Sequence, residues 1–182
     1  MRAKWMNRKL PKGNLIFLLS SLTILSLLLG FITTLSILIH LGLYVHTNIF
    51  GESMHEAVTE DSRILYIDPE FKEIRRGDIV SAEVTYQGIP VEDSGEPLII
   101  VKRIIGLPGE TIRIDGDQVY INHELLSEPY AYYSGPGEDD LLMTLGEEEY
   151  FLMGDNRLDS SDSRAWGPFH IEHIQSVALA VN

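Results

Sequence analysis

The sequence predicts a mainly β fold: an antiparallel β-sheet domain preceded by one N-terminal transmembrane helix. Three observations carry this reading. There is an uncharged apolar run near the N-terminus, a series of short apolar runs bounded by turn residues beyond it, and an Asp-Gly pair of the kind that closes tight hairpins.

Leu15 to Val45 contains no Asp, Glu, Lys or Arg, and it exceeds the ~20 residues a helix needs to cross a bilayer. A cleaved signal peptide has an apolar core of only ~7–15 residues ending at a small-residue cleavage site. Neither feature is present, so the run is expected to stay as an anchor. Positions 1–14 carry Arg2, Lys4, Arg8, Lys9 and Lys12 and no acid, whereas the whole chain of 182 residues has a net charge of −13. The positive-inside bias then predicts a cytoplasmic basic N-terminus at 1–14, an anchor at 15–45 and an extracytoplasmic domain at 46–182. The expected protein is single-pass in the cell membrane, with its working domain extracellular and the lipid bilayer as one partner. So polarised and acidic a chain is not expected to bind nucleic acid. Its length leaves room for one compact domain. With no cysteine present, disulfides, thiolate metal sites and a cysteine nucleophile are all removed.

Beyond residue 46 the apolar runs are Ile64–Ile67, Ile79–Val84, Leu98–Ile105, Thr111–Ile114, Val119–Ile121, Tyr150–Met153 and Val177–Val181. Their shortness favours strands over helices. Asp115-Gly116-Asp117 should close a hairpin, because Gly accepts the positive φ such turns require. Tyr86 to Glu96 and Tyr133 to Glu149 are rich in Gly, Pro, Asp, Glu and Ser and read as surface loops. Glu147-Glu148-Glu149 reads as a solvated face, and His170 and His173 lack a third ligand, so no metal is expected.

The chemistry lies in four segments. Gly51-Glu52-Ser53-Met54 follows the apolar run, Arg76-Gly77-Asp78-Ile79-Val80 comes next, and Val101-Lys102-Arg103-Ile104-Ile105 sets a lysine inside an otherwise apolar strand. Such a lysine either snorkels its stem along the surface or is desolvated, in which case its pKa falls toward ~7–8 and it can take a proton from a serine hydroxyl. Gly154 to Gly167 then packs donors and acceptors densely, as either a polar loop or an ordered network.

Taken in this order, the segments resemble type I signal peptidases of the single-span, Gram-positive kind. The shared features are Ser-Met after a span, Arg-Gly-Asp-Ile-Val, Lys-Arg-Ile-Ile-Gly-Leu-Pro-Gly-Glu and Gly-Asp-Asn-Arg followed by Ser-x-Asp-Ser-Arg. The resemblance runs from the span to the C-terminus. It implies a serine endopeptidase without a cofactor, in which Ser53 is the nucleophile and Lys102 the general base. By the same resemblance Ser160 orients the lysine amine, while Asp155, Asp162 and Arg164 form a supporting network. The Ser53 N–H serves an oxyanion hole, with Gly51 where some relatives place a serine hydroxyl, and Met54 lines the substrate pocket. Family substrates are exported preproteins with small side chains at the first and third positions before the cut; the secretion translocase and pilus precursors are further candidate partners.

One stretch departs from the family pattern. Relatives continue Ser-Met-x-Pro-Thr, whereas this chain has Ser53-Met54-His55-Glu56-Ala57. In an extended chain Glu56 faces away from Ser53, and His55 suggests a rival Ser/His pair. The altered segment motivates an alternative: a non-proteolytic assembly factor or chaperone for pili or surface proteins that uses the same groove. A structural membrane protein would need neither Ser53 nor Lys102.

Overall fold

The computed structural model describes residues 12–40, 43–46, 51–59, 61–84, 98–133, 135–137 and 139–182. The apolar run forms α1 (Lys12–His40), whose segment Leu19–His40 is long and apolar enough to cross a membrane. Hydroxyls in this helix bond back to the preceding turn, as Thr33 and Thr34 do to Gly30 O at 2.9 Å, so no polar group breaks the run. The described helix runs to His40, and the expected anchor to Val45 does not continue as helix through Tyr44 and Val45. Tyr44–His46 is instead a strand, antiparallel to Ile64–Ile67, with the rings of Tyr44 and Tyr66 stacked 5.4 Å apart. A charge-free run serves an edge strand as well as a helix, so composition alone misplaces the boundary.

In chain order the strands are β1 (Tyr44–His46), β2 (Ile64–Ile67), β3 (Ile79–Val84), β4 (Leu98–Gly106), β5 (Thr111–Gly116), β6 (Gln118–Ile121), β7 (Glu124–Leu125), β8 (Asp139–Thr144), β9 (Glu149–Met153), β10 (Phe169–His170) and β11 (Ile174–Val181); α2 (Ser163–Trp166) precedes β10. All pair antiparallel, in a seven-stranded sheet of order β1-β2-β11-β3-β4-β9-β10 and a four-stranded sheet of order β7-β6-β5-β8. Every apolar run named beyond residue 46 is a strand or lies within one. The expected hairpin joins β5 to β6, with Gly116 at φ 63°. Asn122 and His123, at φ 50° and 74°, close the next hairpin, where Ile121 faces Glu124.

The expected loop from Tyr133 to Glu149 contains a strand, β8. Along it Leu141 and Met143 turn inward and Leu142 outward, and two leading aspartates hide the alternation from an apolar-run criterion. The other expected loop, Tyr86 to Glu96, lies outside the described residues.

β4 carries the core on both of its faces. Val80, Ala82, Ile100, Ile104, Leu152 and Val177 form one cluster. Ile105, Phe151 and Met153 belong to a second, with Ile112, Ile114 and Val119 of the smaller sheet. Each fully buried isoleucine here contributes about 1.5–3 kcal/mol. The result is an interior strand, packed on both faces, from which Lys102 and Arg103 project.

Candidate active site

Lys102 lies between Ile100 and Ile104 on β4, residues that share its face because side chains alternate along a strand. Opposite it in register is Val80 of β3. These apolar neighbours leave Lys102 only 5% exposed. Its Nζ donates to Ser53 Oγ at 2.6 Å and to Val101 O at 3.2 Å. Burial pushes the amine down, Asp162 pushes it up, Arg164 down again and Asp155 up; the balance takes it from an ordinary 10.5 to about 8. An amine poised there, bonded to a hydroxyl, can receive that hydroxyl's proton at neutral pH.

Ser53 sits in a chain of turns. The His55 N–H donates to Glu52 O at 2.9 Å, and the N–H groups of Ala57 and Val58 donate to Met54 O at 3.1 and 2.8 Å. The segment is therefore not extended, and Glu56 stands at φ 75°. Proline cannot adopt that angle, so the backbone here suits the residue this chain has and not the one its resemblance suggests. Glu56 and His55 are exposed, and the side-chain partner of Ser53 is Lys102 rather than His55.

The turn folds Met54 inward, where at 2% exposure it packs with Val58, Ile64, Tyr66 and Ile79. Met54 thus anchors the turn in the core. Gly51 is exposed at φ 94°, with no atom within 4 Å of where a Cβ would stand. Among the described residues the Ser53 N–H meets no acceptor.

Asp162 is fully buried and gathers the polar loop. It accepts from the Gly154 N–H at 3.0 Å, from Ser160 Oγ at 2.7 Å, and from Arg164 N, Nε and Nη2 at 3.1, 2.9 and 2.8 Å. Burial raises its pKa, but the Arg164 guanidinium and these hydrogen bonds outweigh that and hold it below the usual carboxylate range. Ser160 commits its hydroxyl to Asp162, and the Lys102 amine bonds elsewhere. Among the described residues Ser160 makes no hydrogen bond to Lys102; the Asp162 it bonds acts on the amine through its charge. Asp155 binds Arg103 in bidentate fashion, at 2.7 and 2.5 Å, which locks the residue after Lys102 to the polar loop.

Four residues of this site were not assigned a role from the sequence. They are Arg103, Asn156, and the buried pair Arg157–Glu128, joined at 2.5 and 3.0 Å. A signal for one of them was present: adjacent cations in an apolar strand point to opposite faces, so Arg103 needs a carboxylate of its own. Asn156 and Arg157 lie in the Gly-Asp-Asn-Arg segment, which by itself gives neither side chain a role, and Glu128 reaches the site through tertiary folding.

Residues 21–181 match the family model described as signal peptidase, peptidase S26. Signal peptidase I U of Bacillus subtilis (strain 168) is 37% identical over 153 residues, covering 78% of this chain and 76% of that one. Signal peptidase I of Bacillus amyloliquefaciens is 36% identical over 142 residues, 71% of this chain and 70% of that one. The crystal structure of a signal peptidase I from Enterococcus faecalis V583 is 30% identical, with a TM-score of 0.47, covering 58% of this chain and 97% of that one.

Proposed function

The chain belongs to the signal peptidase family, peptidase S26, and has signal peptidase function; we propose that Ser53 is its nucleophile and Lys102 its general base. The observation that carries this assignment is the 2.6 Å bond between the two side chains, made by a lysine that is only 5% exposed. At a pKa of about 8 in place of 10.5, the amine is neutral about 300-fold more often at pH 7 than an ordinary lysine.

Lys102 Nζ takes the Ser53 proton as Oγ attacks the carbonyl carbon of the scissile peptide bond. The oxyanion that forms is met by the Ser53 N–H. Collapse of the tetrahedral intermediate breaks the C–N bond, and the Lys102 ammonium returns its proton to the departing amine. That step frees the N-terminus of the mature protein and leaves the signal peptide esterified to Ser53. Water, deprotonated by the same amine, then releases the signal peptide as a carboxylate.

The family acts on exported preproteins and is membrane-anchored, and α1 supplies the anchor here. The basic residues before α1 support a cytoplasmic N-terminus with the β domain on the outer face. Small side chains at the first and third positions before the cut complete the proposed substrate.

The test is to incubate the full-length protein in detergent with a labelled preprotein bearing an Ala-x-Ala site, reading products by gel and mass spectrometry. Cleavage after the site is expected from wild type and not from Ser53→Ala. Cleavage retained by Ser53→Ala removes Ser53 from the mechanism, and no cleavage by wild type of several diverse preproteins turns the reading to a chaperone.

Gly154 offers an independent check. A Cβ there stands 2.5 Å from Ser53 O and closer still to Ser160 Oγ, and the first of these is backbone that cannot swing aside. Gly154→Ala is expected to displace the nucleophile and lower kcat by about 100-fold, measured against a preprotein under saturating conditions.

A further inference from the structure

We propose that Asn156 is the positioning residue that aims the oxyanion-binding N–H of Ser53, an inference that rests on Ser53 being the nucleophile. Its backbone N–H donates to Ser53 O at 3.0 Å, and its side-chain Nδ2 donates to Glu52 O at 3.3 Å. These two carbonyls belong to the two peptide units that flank the Ser53 Cα. A trans peptide is planar, with C=O and N–H pointing in opposite directions. Holding Glu52 O therefore aims the Ser53 N–H, and holding Ser53 O fixes the next plane. With both planes pinned, φ and ψ of Ser53 are set together, and with them the direction of Oγ relative to the N–H.

The His55 N–H also reaches Glu52 O, at 2.9 Å, but that bond lies inside the turn and travels with it. Asn156 ties the turn to the polar loop. The residue before it, Asp155, ties the same loop to Arg103, next to Lys102 on β4. A parallel bridge to Tyr132 and a bond from the Asp159 N–H to Asn156 O at 3.2 Å hold Asn156 itself. Nucleophile and base are thus registered to each other through two consecutive residues.

A second observation singles out the side chain. Asn156 is 7% exposed, and its Oδ1 is buried with no hydrogen-bond partner among the described residues. An amide with an orphan oxygen is a worse filler of that space than an apolar residue of the same size. What the amide supplies in return is the Nδ2 donor on Glu52 O.

The experiment compares wild type, Asn156→Leu, Asn156→Ala and Ser53→Ala as full-length proteins in detergent. Readouts are kcat and KM on a preprotein, inhibition by a peptide aldehyde ending in alanine, and denaturant midpoints. Asn156→Leu keeps the number and branching of the heavy atoms at a modest gain in volume, loses the donor and removes the orphan oxygen. Its kcat is expected to fall about 30-fold, with KM within about threefold, while its denaturant midpoint is unchanged or higher. Its affinity for the aldehyde should fall in parallel with kcat, because the tetrahedral adduct uses the same N–H. The pH at which activity is half-maximal stays put, since the Lys102 amine is untouched. Asn156→Ala is expected to show the same kinetic loss with a lower midpoint. The proposal is overturned if Asn156→Leu keeps kcat within about threefold of wild type, if the loss lies in KM alone, or if aldehyde affinity is unaffected. Should Ser53→Ala remain active, the nucleophile assignment fails instead; an inactive Ser53→Ala beside a fully active Asn156→Leu defeats this proposal alone.

Discussion

Lys102→Met is expected to leave a folded protein that cleaves preproteins at least about 10⁴-fold more slowly than wild type and is more stable than wild type at pH 7. The kinetic loss follows from removing the only side-chain partner of Ser53 Oγ among the described residues. The gain in stability follows from the environment that makes the lysine useful. Lowering its pKa from 10.5 to about 8 corresponds to about 3 kcal/mol of preference for the uncharged amine. In the unfolded chain the amine holds its proton up to about pH 10.5, whereas the folded site sheds it above about 8. Below pH 8 the fold therefore carries the full cost of an ammonium in an apolar strand. That cost shrinks as pH rises from 8 and is gone above 10.5, because over this window the unfolded state binds more protons. Methionine keeps the unbranched stem without the charge, so the variant should gain up to about 3 kcal/mol at pH 7, less the two hydrogen bonds it forgoes. Urea denaturation at pH 7 and pH 9.5 checks this: wild type should gain on the variant as pH rises. The same titration governs rate, with wild-type kcat/KM expected to climb about tenfold per pH unit below 8 and to level off above it. A flat profile between pH 6 and 8, together with an unstabilised variant, would show that the amine is not desolvated.

The expected strands are present because each has enough apolar density to be buried on at least one face, and turn residues delimit them. β8 escaped because an edge strand of a small sheet needs only half-buried Leu141 and Met143, and its aspartates read as loop. Tyr44 and Val45 were absorbed into the anchor because neither charge nor hydropathy separates strand from helix there; their pairing with β2 decides it. In the site, Lys102 was legible as a charge in the wrong place, and Ser53 only through its order relative to the other segments. Met54 and Ser160 mark the limit of that reading. A motif gives a residue's neighbourhood but not its direction, and the turn bonds of residues 52–58 send Met54 into the core. Ser160 likewise points to Asp162 because that carboxylate, buried with Arg164, draws donors from every side.

Arg157→Ala is expected to cost about 3–5 kcal/mol, a large fraction of the stability of a typical domain. The Arg157 side chain is fully buried and that of Glu128 is 7% exposed. The guanidinium also donates to Gly154 O at 3.0 Å and to Tyr133 Oη at 3.1 Å. Truncating it leaves the Glu128 carboxylate desolvated without a counter-charge, and the penalty comes from that orphan more than from the lost attraction. The double variant Arg157→Leu/Glu128→Leu should therefore be far more stable than Arg157→Ala, since apolar filling of a buried ion pair is often neutral or favourable. Activity should separate from stability in that double variant. Gly154 O loses its donor, and Gly154 is the residue packed against Ser53 O and Ser160. Recovered denaturant midpoints with kcat still depressed would place the role of Arg157 in holding the Gly154 backbone. Full recovery of both would reduce the pair to packing alone, and a loss under about 1 kcal/mol in Arg157→Ala would show that Glu128 is solvated in the folded protein.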